Sequence, residues 1–203
     1  MTIPQSIGLD FDNTLVSYDS LLAKVVKELG WAGGVAGKRA IRDALRTSPV
    51  GDLGWQRLQG MIYGHRMSEA EIIPGVSEFL QACVRHGTTV KIISHKTEFA
   101  GVDPTHTPLR KAALAWMNDQ GFFSRYGIRL ENIIFAATKA EKIANIERAA
   151  VSVFVDDLEE ILGDPAFPGS VHRILFAPEG EVPAGPYRVL RNFAAIRVEI
   201  FGA

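Results

Sequence analysis

The chain has 203 residues, 47% of them apolar and 22% charged, with a net charge of -1. That balance suits one sizeable domain, or a core with a modest insertion, and gives no sign of a nucleic-acid or membrane surface. Cys83 is the only cysteine, which excludes an internal disulfide and a cysteine metal cluster and fits a reducing cytoplasm; no apolar stretch is long enough to span a bilayer, and the start has no signal-peptide pattern.

The first apolar run, Ser6–Asp10, reads as a buried strand that ends on a pair of carboxylates, Asp10 and Asp12, followed by Asn13 and Thr14. Buried carboxylates are costly without a positive partner. No Lys or Arg lies between Thr2 and Leu22, so the partner comes from elsewhere in the fold or is a metal ion.

From Val16 to Pro74 no strand stands out. Leu21–Leu29, Lys38–Arg46, Trp55–Tyr63 and Ser68–Ile72 read as helices, with Gly33, Gly34, Gly37, Gly51 and Gly54 in the turns. This predicts a helical insertion, 16–74, directly after the first strand. The remainder, 1–15 and 75–203, forms the core. Open α/β sheets bind ligands at the carboxyl edge of their strands, so the insertion is expected to act as a lid.

Beyond it, apolar runs alternate with helical patterns. The strands are Thr88–Ser94, Asn132–Ala137, Ser152–Asp156 and His172–Phe176. They are rich in Ile, Val and Phe and mostly lack polar alternation, as parallel strands covered on both faces do. The helices are Val76–His86, closed by Gly87, then Pro108–Gln120, closed by Gly121, then Thr138–Ala149, opened by Thr-x-x-Glu. The alternation predicts a doubly wound α/β parallel sheet.

Like the first strand, Thr88–Ser94, Asn132–Ala137 and Ser152–Asp156 end on or lead into polar residues, and in a parallel sheet the ends share one edge. Asp10, Asp12, Ser94, Lys139, Asp156 and Asp157 can therefore converge although far apart in sequence. Four carboxylates facing one another need a cation, and oxygen ligands without Cys or paired His suit Mg²⁺. A Lys and a Ser beside such an ion suit a phosphoryl group, and a carboxylate can be the nucleophile.

The set resembles the haloacid dehalogenase (HAD) superfamily, in its phosphatase type with a helical cap. The family's Asp-x-Asp-x-Thr stands here as Asp10-Phe11-Asp12-Asn13-Thr14. Its strand-end Ser or Thr is similar to Ser94, its helix-opening Lys to Lys139, and its acidic pair to Asp156-Asp157. The motifs come in the family's order, between Ile7 and about Leu162. Asn13 stands where many relatives have Gly, and Asn also tolerates tight turns.

The resemblance implies a Rossmann-like core and the roles. Asp10 attacks phosphorus, and Asp12 protonates the leaving oxygen and then activates water. Asp10, the main-chain carbonyl of Asp12 and Asp156 hold Mg²⁺, with Asp157 close by. Thr14 positions the loop, and Ser94 and Lys139 bind phosphate. Dehalogenases of the superfamily lack the second Asp, because a halide leaves without a proton; phosphatases keep it. For the lysine one alternative stays open. Lys142 precedes an apolar pattern, Ile143 and Ile146, that other relatives show after theirs. The implied activity is hydrolysis of a small phosphorylated metabolite in the cytoplasm. A phosphomutase would use the same residues. A phospho-receiver module places its acidic pair on the first strand and lacks the long insertion.

Other signals carry less. Gly33–Ala40 looks like a phosphate loop but has Ala32 and Arg39 where Gly and Ser or Thr are required. The five histidines lack metal-ligand spacing, and His95 has either a site role or a local one. The loop 98–108 either meets substrate or connects. In the insertion, Trp31, Trp55, Arg57, Tyr63, His65 and Arg66 are candidates to read the leaving group, with core packing the competing role for the tryptophans.

Overall fold

The computed structural model describes residues 3–31, 37–101 and 106–202. Gly33 and Gly34, the core of the phosphate-loop-like stretch, and the middle of the loop 98–108 lie outside them.

The chain divides by its own contacts into two units. The first comprises Met1–Val16, Ile72–Lys96 and Gly121–Ala203. Its centre is a six-stranded sheet built from β1 (Ser6–Leu9), β4 (Thr89–His95), β5 (Ile133–Ala136), β6 (Val153–Asp156), β7 (His172–Phe176) and β8 (Arg188–Leu190). The order is β5-β4-β1-β6-β7-β8, and every pairing is parallel. This is the expected α/β parallel sheet, and it carries one strand more than the apolar runs predicted. β8 has only three residues, too short for a strand signal.

The strands stay parallel because helices return the chain. α4 (Val76–His86) leads into β4, and α6 (Lys139–Ala149) leads into β6 and packs over β4 and β5. α7 (Glu159–Leu162) follows β6, and α8 (Phe193–Phe201) closes the unit against α4 through the Phe79–Phe193 ring contact. Ile7 and Leu9 of β1, Ile92 and Ile93 of β4, and Phe154 and Val155 of β6 are buried. β1 thus sits at the centre, flanked on both sides, and its carboxyl end is held from both. Gly8 makes this closeness possible: a Cβ there would lie 2.4 Å from the Phe154 ring across the β1–β6 pairing.

The second unit comprises Ser17–Glu71 and Thr97–Gln120. It is helical, with α1 (Asp19–Glu28), α2 (Lys38–Thr47), α3 (Gly51–Gly60) and α5 (Leu109–Asp119). The expected insertion, 16–74, compares with 17–71, and the segment 97–120 joins it. α5 groups with the insertion, not with the sheet. It packs on the wide turn Met61–His65 and the tight turn Met67–Glu69, and the Trp116 indole N–H donates to the Ala70 carbonyl at 2.9 Å. Thr107 comes so close to Gly64 that a Cβ on the glycine would lie 2.5 Å from it.

A helix was also expected over Ser68–Ile72. The chain instead makes the tight turn and then a short strand, β3 (Glu71–Ile72), paired with β2 (Val16–Ser17). Two-residue strands leave no periodicity to read. Among the described residues, no helix is long and apolar enough to cross a membrane.

Candidate active site

β1 delivers Asp10 and Asp12 to the carboxyl edge of the sheet. The Asp10 amide still belongs to the ladder, donating to Val155 at 2.8 Å. The chain then turns sharply. The Leu15 amide donates to Phe11 at 2.9 Å and the Asn13 amide to Val16 at 2.9 Å, with Asn13 at φ 59°. That left-handed conformation suits Asn among non-glycine residues, so the departure at this position is physically sound.

α6 delivers the lysine. Thr138 caps the helix by accepting from the Glu141 amide at 3.1 Å, and Glu141 accepts from the Ala137 amide at 2.7 Å. The expected Thr-x-x-Glu start is present, with Glu141 reaching the amide one residue before the cap and Lys139 in the first helical position. Lys139 nevertheless points away from the carboxylates. It pairs with Asp164 at 2.7 Å, its side chain 47% exposed. The lysine among the carboxylates is Lys142. Its Nζ lies 2.7 Å from Asp10 Oδ1 and 2.6 Å from Asp156 Oδ2, with the side chain 1% exposed. The physical reason is the face of the helix. Lys142 shares the buried stripe with Ile143, Ile146 and Ala149, whereas Lys139 is exposed. The assignment of Lys139 to the site is therefore corrected to Lys142.

β6 delivers the acidic pair. Asp156 is fully buried, and its Oδ1 accepts from the Leu158 amide at 3.0 Å. Carboxylate oxygens of Asp10, Asp156 and Asp157 lie within 4.8 Å of one another. Burial pushes the Asp156 carboxyl above the usual carboxylate range; Lys142 pulls it down and Asp10 pushes it up. For Lys142, burial works against the charge, but Asp10 and Asp156 outweigh it and hold the ammonium above its ordinary pKa. The lysine therefore carries its charge among the acids, as a buried cluster of this kind requires.

β4 delivers Ser94, two residues beyond Ile92, which pairs with Leu9. Ser94 and Thr14 are buried, and neither hydroxyl oxygen has a hydrogen-bond partner among the described residues. Buried polar atoms are rarely left so, and these two fit a polar ligand at the strand edge. His95 turns the other way, its Nε2 3.0 Å from the Ala137 carbonyl, which is a local contact.

Sequence reasoning passed over Lys96. Its Nζ lies 2.9 Å from Asp12 Oδ2, with its side chain 2% exposed and that of Asp12 20% exposed. The signal was available. Side chains alternate along a strand, so Lys96 shares its face with Ser94.

In the helical unit, Trp55 is buried. Tyr63 stacks edge-on against Tyr18, and His65 Nε2 lies 2.6 Å from Thr107 Oγ1. Arg66 is tied to Glu28 and Glu69. Hydrogen bonds from Arg66 and then Lys24 hold the Glu69 carboxyl down at about 2.

No protein-family model and no curated protein sequence matches the chain. Solved structures do. A HAD-superfamily hydrolase of subfamily IA from Geobacter sulfurreducens shares 14% identity, over 97% of this chain and 96% of that one, at a TM-score of 0.58. An L-2-haloacid dehalogenase shares 13%, over 98% and 99%, at 0.62. A candidate phosphatase from Clostridium difficile shares 11%, over 99% and 100%, at 0.63. The likeness is one of fold, and it spans the whole chain: this protein has the fold of the haloacid dehalogenase superfamily hydrolases.

Proposed function

We propose that the chain is a Mg²⁺-dependent phosphatase that hydrolyses a small phosphorylated metabolite through an aspartyl-phosphate on Asp10. The observation that carries this reading is Asp12, a second carboxylate two residues from Asp10 and paired with a buried lysine. An alcohol leaving phosphorus needs a proton, and a halide leaving carbon does not. Water must be activated to release the covalent intermediate in either reaction, but a carboxylate placed to protonate the leaving group has that task only in the first.

The residues fit the ion. Asp10, Asp156 and Asp157 offer oxygens within 4.8 Å of one another, the donor chemistry that Mg²⁺ takes, and the Asp12 main-chain carbonyl would complete the protein's share. When bound, the ion would offset the charge of the phosphoryl group so that a carboxylate can approach it.

The chain's own residues do the rest. Asp10 supplies the attacking oxygen. Lys142, charged and within 2.7 Å of Asp10, orients that carboxylate and meets the incoming negative charge. Ser94 and Thr14 offer buried hydroxyls, Ser94 to a phosphoryl oxygen and Thr14 to the turn or its ligand. Asp12 gives its proton to the leaving oxygen. It then takes one from the water that releases phosphate from Asp10.

The test is a hydrolysis screen over p-nitrophenyl phosphate, sugar phosphates, nucleotides and phosphorylated amino acids, with Mg²⁺ and with EDTA. Halide release from L-2-chloropropionate is measured in parallel. Phosphate release that stops in EDTA supports the reading. Halide release without phosphate release, or phosphate release undiminished in EDTA, overturns it.

A further inference from the structure

We propose that Lys96 is a positioning residue that fixes the Asp12 carboxyl group for proton transfer to and from the leaving group; the proposal rests on the phosphatase reading. Lys96 is the first residue after β4, yet its backbone stays in the ladder, its amide donating to Ala136 at 2.9 Å. The root of the side chain is therefore fixed. The Nζ reaches across to Asp12 Oδ2 at 2.9 Å and passes 5.7 Å from the centre of the Phe11 ring.

Burying an ammonium is expensive, and a surface lysine would serve equally well for solubility. The pair is also asymmetric, because Lys96 is enclosed while Asp12 keeps part of its side chain open to solvent. A wholly structural ion pair has no need of that opening, whereas a proton-transfer group must reach its substrate. An ammonium can donate to a carboxyl oxygen whether or not the acid carries its proton. The contact thus holds through the whole cycle. In the first step an Asp10 oxygen bonds to phosphorus, the ester P–O bond breaks, and the Asp12 proton goes to the departing oxygen. In the second, water loses its proton to Asp12, its oxygen bonds to phosphorus, and the bond to Asp10 breaks. Asp12 must be correctly aimed in both steps, and Lys96 does the aiming.

The test compares kcat/KM for phenyl phosphate, whose leaving group needs a proton, with that for 2,4-dinitrophenyl phosphate, whose leaving group does not. This ratio reports steps up to transfer onto Asp10, so the second step does not mask the first. Lys96→Met should lose about a hundredfold on phenyl phosphate and less than about tenfold on dinitrophenyl phosphate. In an Asp12→Asn background Lys96→Met should cause no further loss, since Lys96 acts through Asp12. Lys96→Gln serves for the same comparison if the Met variant does not fold. Equal losses on both esters, no loss on either, or an added loss in the Asp12→Asn background would overturn the role of Lys96 while leaving the phosphatase reading standing. A wild-type protein that hydrolyses neither ester in Mg²⁺ would overturn both.

Discussion

Lys142 Nζ lies 2.7 Å from Asp10 Oδ1, joining the middle strand of the sheet to a helix more than a hundred residues later in the chain. The contact is enclosed, with both side chains 5% exposed or less. Lys139, one turn earlier, is spent on Asp164. Lys142→Met should therefore lower phosphate release by about a hundredfold or more, through loss of a charged contact to the nucleophile and the phosphoryl group. Lys139→Met should stay within about threefold of wild type, as removal of an exposed ion pair allows. Steady-state rates on variants with matching circular dichroism check the order. The reverse order would contradict the geometry.

Gly8 sets a packing limit at the heart of the sheet. An alanine Cβ would lie 2.4 Å from Phe154 Cδ2 and 3.2 Å from Val151 Cγ2. Phe154 is fully buried in a cluster with Ile93, Ile146 and Leu162, so its ring has little room to move. Gly8→Ala is expected to destabilise by about 1–3 kcal/mol, or roughly 3–10 °C in Tm. A melting curve unchanged from wild type would show that the ring can shift.

Cys83 lies on α4 and is 1% exposed; burial pushes its thiol up to about 12 from an ordinary 9.0. In the native protein, alkylation by iodoacetamide at pH 8 should run on the order of a hundredfold slower than in the unfolded chain. The sign of the pH effect follows. Below pH 9 both states hold the proton. Between about 9 and 12 only the unfolded thiol loses it, so stability falls as pH rises through that window. Cys83→Ala should show a shallower fall over the same range in denaturant titrations, and an identical slope would contradict the burial argument.

Much of this was legible in the sequence, for identifiable reasons. Parallel strands buried on both faces read as uninterrupted apolar runs, and Ile7, Ile92, Phe154 and Ile174 lie in four of them. Thr138 and Glu141 announce a helix start because capping is local chemistry. What escaped depends on partners distant in the chain. The Thr-x-x-Glu start fixes where α6 begins but not which of its faces meets β1, so Lys139 and Lys142 could not be ranked by position along the axis. α5 has the same amphipathic pattern whichever unit it joins, and contacts distant in the chain, such as Trp116 on Ala70, assign it. Strand alternation puts Lys96 on the face of Ser94, but its partner Asp12 shows only in the fold. The strands β2, β3 and β8 are too short to carry a period.

The central claim is that Asp10 becomes covalently phosphorylated during turnover. It is tested most directly by acid-quenching the enzyme with 2,4-dinitrophenyl phosphate and Mg²⁺, reducing with borohydride, and sequencing the peptides by mass spectrometry. Reduction converts an aspartyl-phosphate to homoserine. The account predicts homoserine at position 10, in larger yield in Asp12→Asn, where water is poorly activated, and none in Asp10→Asn. Turnover with no homoserine at position 10, or homoserine at another aspartate, would contradict it.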